Sequence, residues 1–467
     1  MSPPELDFDS CYRAVSARDS RFDGRFYTAV TTTRIYCRPI CPARTPSSRN
    51  VRFYRHAASA EAAGFRPCKR CRPELSPGDP GWDLRGDLVG RALRLIDDGA
   101  ADEQGVAGLA RRLHITERHL HRLFVAELGV GPLAVARTKR LLLAKQLLTE
   151  TGLPVTEVAF AAGFGSVRQF NATMRETYGF TPSELRATAG GRAAPPEADV
   201  TGPATLTLRL HRRDPYDADG VFGFLASRAI PGLEVADLTS YSRAVPGGTI
   251  TLTPRRDHIA LDVAVADTRQ LARLVARCRR LLDLDADPDA IAEVLGQTSL
   301  APLVAARPGL RVPGTFDGFE LAVRAVVGQQ ISVAGARTLL GRIVARAGSP
   351  LFPTAAELRD ADLTGLGLTG RRIDTLKDLA GRVADGEIDL DGGQDPAEAV
   401  SALLKVPGIG PWTAGYIALR ALRDPDAWPA GDLVLNKRMA ALGIPHDHLE
   451  RWRPWRAYAA LHLWSSS

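Results

Sequence analysis

Cysteine is scarce in this chain: six residues in 467, at Cys11, Cys37, Cys41, Cys68, Cys71 and Cys278. So few thiols in so long a chain exclude a secreted disulfide scaffold, where dense cross-links substitute for a core. Long apolar runs are missing too. No stretch approaches the ~18 residues of a membrane-spanning helix. The first ten residues are acidic and lack the apolar segment of a signal peptide. The expectation is a protein of the reducing cytoplasm with no membrane partner. A long repeat array is absent as well, which excludes a solenoid.

What is present divides into modules. At roughly 100–200 residues per domain, the length suggests three or four. A hydrophobic fraction of 45% is enough for several cores. The net charge of +7 is a weak pointer to nucleic acid, but arginines crowd residues 34–72 and 111–140. Composition breaks at Ser76-Pro77-Gly78-Asp79-Pro80-Gly81, at Ala189-Gly190-Gly191 through Pro195-Pro196, and near Arg307-Pro308-Gly309. The expected architecture is multidomain and mainly α with α+β parts. It comprises a cysteine-rich domain over 1–76, a helical domain over 83–188, a linker over 189–202, a β-rich α+β subdomain over 203–306 and a helical domain over 307–467. Alternation in Thr205–Leu210, Thr249–Leu252 and Ile259–Val263 predicts strands; Leu271, Leu274, Val275 and Leu281 predict a helix.

The cysteines fall as Cys37-x3-Cys41 and Cys68-x2-Cys71, two close pairs separated by 26 residues. This spacing suits one tetrahedral zinc ion held by four thiolates. Most all-cysteine zinc sites are structural, and the spacing is silent about chemistry. The charges say more. Zinc with four thiolates carries a formal charge of about −2, and Arg34, Arg38, Arg44, Lys69, Arg70 and Arg72 surround it in sequence. Cations keep a thiolate in its nucleophilic form. Alkylation of one sulfur gives a neutral thioether and a cluster that repels DNA phosphate less, a damage-gated affinity switch. Cys11 and Cys278 read as ordinary packed thiols.

Residues 10–75 resemble the N-terminal domain of the Ada DNA-repair proteins, through Arg18-Asp19, Asp23-Gly24-Arg25-Phe26, Cys37-Arg38-Pro39-Ile40-Cys41-Pro42, Asn50-Val51 and Gly64-Phe65-Arg66-Pro67-Cys68-Lys69-Arg70-Cys71-Arg72-Pro73. The resemblance implies that Cys37 accepts a methyl group irreversibly from a DNA methylphosphotriester. Nothing in the spacing selects Cys37 over its three partners.

In the next segment Leu120, Leu123 and Phe124 repeat at i, i+3, i+4 behind a capping Thr116, leaving Arg118, His119, His121 and Arg122 outward. A second unit matches it: Ser166 caps, Phe170, Met174 and Tyr178 point inward, and Arg168, Gln169, Asn171 and Arg175 face out. Between them a long helix carries Arg137, Lys139 and Arg140. Arg, Gln and Asn are the side chains that read guanine and adenine edges; two such helices on one linker would reach successive major grooves. A single unit would read as a solvated helix face. The segment resembles the AraC family of regulators, most strongly through Val155-Thr156-Glu157-Val158-Ala159, Ala162-Gly163-Phe164, Phe170 and Tyr178-Gly179-Phe180-Thr181-Pro182-Ser183. This implies double-stranded promoter DNA as partner, with RNA polymerase a further one, and binding that strengthens once Cys37 is methylated. Paired units in one chain suit a monomer.

Near the C-terminus, Val406-Pro407-Gly408-Ile409-Gly410-Pro411-Trp412 allows a tight turn between helices and close approach of a phosphate to backbone N–H groups. Asp432 precedes an apolar helical stretch and reads as an N-cap. The half from about residue 213 resembles the helix-hairpin-helix glycosylases, in particular the AlkA-type 3-methyladenine DNA glycosylases, through Gly223-Phe224-Leu225-Ala226-Ser227-Arg228-Ala229, Arg307-Pro308-Gly309-Leu310-Arg311-Val312-Pro313-Gly314, Gly328-Gln329, the hairpin and Trp452-Arg453-Pro454-Trp455-Arg456-Ala457-Tyr458. The resemblance implies that Asp432 is the catalytic carboxylate, that Gly408 and Gly410 shape a hairpin holding the DNA backbone, that Trp412, Tyr416 and Trp464 line the base pocket, and that Gln330 wedges into the duplex. Gln330 departs from the family's apolar wedge. No lysine stands where the strand-cleaving relatives carry one, so base release by hydrolysis is expected. The Pro-Cys-His-Arg motif of the alkylguanine-repairing Ada domain is absent. The alternative is a non-enzymatic regulator with a structural zinc and a passive damage-reading half.

Overall fold

A computed structural model describes residues 6–79, 88–188 and 204–465. The expected linker over 189–202, the end of the 76–81 hinge and the first residues of the helical domain lie outside the described residues. The chain is multidomain and mainly helical, with small sheets. It forms two compact units: described residues of 6–79, 88–188, 204–212 and 257–276 make the first, and 213–256 with 277–465 the second. Compactness therefore cuts across the α+β segment read over 203–306. Among the described residues no helix is long and apolar enough to cross a membrane.

The first unit opens with a helix, Phe8–Ala17, capped by the Asp7 carboxylate. A four-stranded sheet follows, ordered Val51–Tyr54, Tyr27–Val30, Ile35–Cys37, Arg66–Pro67. The last two strands run parallel, with Tyr36 opposite Pro67. Cys37 ends one strand and Cys68 follows the other, so this register sets two cysteines from distant parts of the sequence side by side. Tyr27, Ala29, Tyr36, Ala57, Ala60 and Phe65 form a small core beneath them; Tyr27 and Tyr36 meet edge to face at 5.6 Å, the arrangement their ring quadrupoles favour.

The helical segment holds the two matched units. Thr116 accepts the His119 N–H and opens helix Glu117–Leu128; Ser166 accepts the Gln169 N–H and opens helix Val167–Tyr178. Leu120, Phe124, Phe170, Met174 and Tyr178 are buried and Leu123 half-buried. Helix Pro132–Glu150 joins the units. Its basic residues are turned to internal use: Lys139 pairs with Asp97, and Arg140 with Asp102 at 2.5 Å. The expected strands form. Ala204–His211 pairs with His258–Val265. Leu206, Leu208 and Leu210 stand opposite Val263, Leu261 and Ile259, and all six are buried, as the period-2 pattern requires.

The second unit contains an antiparallel meander, Glu234–Ala236, Tyr241–Val245 and Gly248–Pro254, and a helical array. Helix Gly318–Val327 is buried along nearly its whole length, and its Ala322, Val323 and Val326 belong to the large helical core.

Candidate functional site

The four sulfurs of Cys37, Cys41, Cys68 and Cys71 lie within 4.8 Å of one another. A tetrahedral site with Zn–S bonds of about 2.3 Å needs sulfurs about 3.8 Å apart, so the donor set fits one zinc ion. The four are not equivalent. Cys68 and Cys71 are buried, Cys37 and Cys41 half-buried. Cys71 Sγ accepts the Arg38 N–H (3.3 Å) and Cys68 Sγ the Arg70 N–H (3.4 Å); Cys41 Sγ takes a backbone hydrogen bond from Ala43. Each hydrogen bond withdraws charge from a thiolate, and Cys37 Sγ is the sulfur of the four that accepts none from a backbone N–H among the described residues.

The surrounding cations divide in a way that charge counting does not reveal. Arg38 is buried and forms a two-pronged pair with Asp23. Arg72 is held by Glu74 (3.0 Å) and Glu150 (2.9 Å). These two are structural. Arg34, Arg44, Lys69 and Arg70 stay exposed, with Lys69 3.7 Å from the centre of the Phe180 ring.

The metal-centre module is bolted to the long helix. Buried Lys145 donates to Glu74 (2.6 Å) and to the Cys68 carbonyl (3.2 Å). Buried Glu61 accepts Tyr36 OH (3.0 Å) and Thr138 OH (2.6 Å). Burial pushes the Glu61 carboxyl up to about 7 against those hydrogen bonds. Neither residue was singled out from the sequence, because their partners lie more than 20 positions away. On the reading helices Arg118, Arg122, Arg168, Gln169, Asn171 and Arg175 are exposed; Arg122 is 2.9 Å from His119 Nδ1.

In the second unit a cavity of about 630 Å³ brings together Trp412, Tyr416, Asp432 and Trp464. Its size is in the range of small-molecule sites. Asp432 is 8% exposed. One carboxylate oxygen accepts the Leu435 N–H (2.8 Å), capping helix Leu433–Ala441, and the Trp464 indole N–H (3.3 Å); the other accepts the Trp412 indole N–H (2.7 Å). The cap and the cavity carboxylate are thus one group. Trp412 and Tyr416 stack at 5.4 Å and 11°, and Trp464 meets Tyr416 at 6.3 Å and 63°. Burial would push the Tyr416 phenol up, but the Arg420 and then Arg228 guanidiniums outweigh it and bring it below its usual value. Below, Glu320 is held down to about 2: its burial is outweighed by Arg243 and Arg324.

The hairpin joins helices Pro396–Leu403 and Pro411–Arg420. Its glycines differ. Gly408 has φ +95° and a Cβ there would meet Thr375 Oγ1 at 2.2 Å, so only glycine fits; Gly410 is extended and has open space. Gln329 donates to the Gly408 carbonyl (3.0 Å) and to Thr413 (2.9 Å), bracing the turn. Gln330 is exposed with φ +59°. Beside it Ile331, 37% exposed, sits on the cavity rim, an apolar side chain one position from where the sequence put the wedge.

Three family descriptions match: the metal binding domain of Ada over residues 10–74, a helix-turn-helix domain over 109–188 and the AlkA N-terminal domain over 207–317. The chain is similar to the probable bifunctional transcriptional activator/DNA repair enzyme AlkA of Mycobacterium tuberculosis, 47% identical over 98% of this chain and 96% of that one. It is similar to DNA-3-methyladenine glycosylase 2 of Escherichia coli, at 34% over 55% of this chain and 95% of that one. It is also similar to the bifunctional transcriptional activator/DNA repair enzyme Ada of Escherichia coli, at 38% over 39% of this chain and 49% of that one.

Proposed function

We propose, from the premise that the chain belongs to the family of bifunctional transcriptional activator/DNA repair enzymes AlkA, that it handles alkylated DNA by two separate chemistries. At the first centre Cys37 Sγ attacks the methyl carbon of a methylphosphotriester. An S–C bond forms, the C–O bond breaks, and the phosphodiester leaves with the electron pair. A zinc ion held by Cys37, Cys41, Cys68 and Cys71 would keep these sulfurs as thiolates near neutral pH, so that no general base is required. The product thioether is not turned over, and each chain accepts one methyl. The cluster loses one negative charge, which favours DNA phosphate beside exposed Arg44, Lys69 and Arg70. Helices Glu117–Leu128 and Val167–Tyr178 would read promoter DNA, with RNA polymerase the further partner; two reading helices in one chain suit a monomer.

At the second centre an alkylated purine, turned out of the duplex, enters the aromatic cavity. Its glycosidic bond breaks, with the electron pair leaving on the base. Asp432 stabilises the cationic sugar carbon and orients the water that adds there, whose proton is then released. The observation that carries this reading is the Asp432 carboxylate, buried, fixed by three N–H donors and lining the cavity. Asn at 432 keeps an oxygen for the cap and removes the charge.

A crossed pair of variants tests the proposal. Asp432→Asn should lower release of 3-methyladenine at least a hundredfold and still take up one methyl from methylphosphotriester DNA. Cys37→Ser should do the reverse, and peptide mass mapping of the wild type should find the methyl on Cys37 alone. Wild-type excision by Asp432→Asn, or a methyl on Cys68, sinks the corresponding half.

A further inference from the structure

The two reading helices end alike. Helix Glu117–Leu128 runs into Leu128-Gly129-Val130-Gly131-Pro132, and helix Val167–Tyr178 into Tyr178-Gly179-Phe180-Thr181-Pro182. Gly129 (φ +73°) and Gly179 (φ +71°) close both with left-handed caps. A helix end leaves its last carbonyls without partners inside the helix. At both of these ends the metal-centre module supplies a contact.

Ser59, on helix Ala57–Ala62, donates its hydroxyl to the Leu128 carbonyl (2.5 Å). Its neighbour Ala58 is buried in the same core as Leu120, Phe124 and Val130 of the first reading unit. In the second unit the half-buried Phe180 ring takes the Lys69 ammonium at 3.7 Å and the Arg66 guanidinium at 5.4 Å from its centre. Lys69 also reaches Thr188 Oγ1 (3.5 Å). Arg66 and Lys69 flank Pro67 and Cys68, so this second clasp is built on the metal-binding loop itself.

Helix Pro132–Glu150 joins the units with 19 residues, a length of about 28 Å. It fixes a distance between them. It does not by itself fix their orientation, because each unit meets it through a short loop, residues 129–131 at its start and 151–154 at its end. Orientation needs a support that touches both units and the joining helix. The metal-centre module does so, through Ser59, through Phe180, and through the Glu61–Thr138 and Lys145–Cys68 hydrogen bonds to the helix.

We infer that the metal-centre module is the brace that sets the angle between the two reading helices, and so makes the chain selective for the spacing of two half-sites in DNA. This rests on the promoter-reading proposal above. Ser59 and Phe180 are the positioning residues. Half-sites in successive major grooves lie one turn apart, about 10–10.5 base pairs. One inserted base pair turns the second half-site by roughly 34° and moves it by about 3.4 Å. A braced pair of helices does not follow that change; an unbraced pair turns about its two loops and does.

The full-length chain, before and after reaction with methylphosphotriester DNA, selects its site from a library of random duplexes. The site is then rebuilt with one base pair inserted or deleted between the half-sites, and as single half-sites. The wild type should lose roughly ten- to a hundredfold in affinity on either change of spacing. Ser59→Ala combined with Phe180→Leu removes both contacts and leaves Lys69, proposed above to favour phosphate, in place. The double variant should lose less than about threefold on the respaced duplexes and bind single half-sites within about twofold of the wild type. Ser59→Ala alone, the milder change, should fall between the two. A folding defect weakens every duplex alike and does not flatten a spacing preference. A spacing penalty in the double variant equal to the wild type's assigns the angle to the joining helix alone and overturns the inference, as does an equal loss on single half-sites. A wild type that selects no sequence in either state instead defeats the promoter-reading proposal on which it rests.

Discussion

The two groups proposed to react differ in their exposure to solvent. Cys37 is half-buried at the end of a short strand, and no backbone N–H of the described residues touches its sulfur. Asp432 is buried at a helix start and accepts three N–H groups. The difference matches what the proposed chemistry asks of each. A group that reacts once needs access and an undiminished anion, so exposure and missing hydrogen bonds are assets. A group that must stabilise charge in every turnover needs fixed orientation and dry surroundings, where its field is least screened. The two regions also differ in how they are supported. The sulfur centre leans on ion pairs to another module, the carboxylate on indoles of its own core.

That second contrast is the one most easily broken. Lys145 and Glu74 are buried, and the Lys145 ammonium also holds the Cys68 carbonyl. Removing Lys145 leaves buried Glu74 with Arg72 as its remaining cation, so the cost should fall below about 3–5 kcal/mol, that of a fully unpaired buried charge. Lys145→Met should therefore loosen the metal centre, seen as faster zinc loss to a chelator and a lower unfolding midpoint for the first unit. Base release by the second unit should stay within about twofold. Equal damage to both activities would mean that the two centres share a support.

Glu61 sharpens the same contrast through pH. Its carboxyl rises from an ordinary 4.5 to about 7 on folding, chiefly by burial, with Thr138, Tyr36, Arg137 and Tyr178 opposing or adjusting that rise. For a raised acid the folded state holds the extra proton. The contribution is fully present below 4.5 and is lost as pH rises through 7. Glu61→Gln removes the titration and keeps one acceptor oxygen, while its amide N–H can donate to the second hydroxyl oxygen. The variant should match the wild type near pH 4.5 and exceed it in stability above pH 7, by up to about 3 kcal/mol. Denaturant unfolding of both proteins between those limits checks this; parallel curves would contradict it.

These supports were the illegible part of the sequence. The cysteine spacing, the caps at Thr116 and Ser166, the alternating strands and the cap at Asp432 are local patterns, and local patterns survive translation into structure. Partner choice is non-local. Nothing near Arg38 says that Asp23 neutralises it, and nothing near Lys145 points to Glu74, 71 positions away. Counting basic residues therefore overstated the cations available to DNA near the sulfurs, since Arg38 and Arg72 are already paired. Gly408 and Gly410, read together as shaping the hairpin, part company in the structure: positive φ and crowding by Thr375 require glycine at 408, while 410 is extended with open space around it.

The smallest expected effects separate the reading helices from both reactive centres. Gln169 and Asn171 follow the Ser166 cap in the first two turns of their helix, the end where recognition helices present side chains to base edges; Arg175 lies nearer the far end. Alanine at Asn171 should cost about 1–3 kcal/mol on one DNA sequence and relax the preference at one base pair. Alanine at Arg175 should weaken binding to all sequences alike and reduce the salt dependence by about one counterion. Titrations of labelled duplexes at several salt concentrations distinguish the two. Neither substitution touches the cavity, so base release from a defined lesion should not change with either. If Asn171→Ala instead weakened all sequences equally, the second helix would be a phosphate clamp, and sequence discrimination would pass to Arg118 and Arg122 on the first.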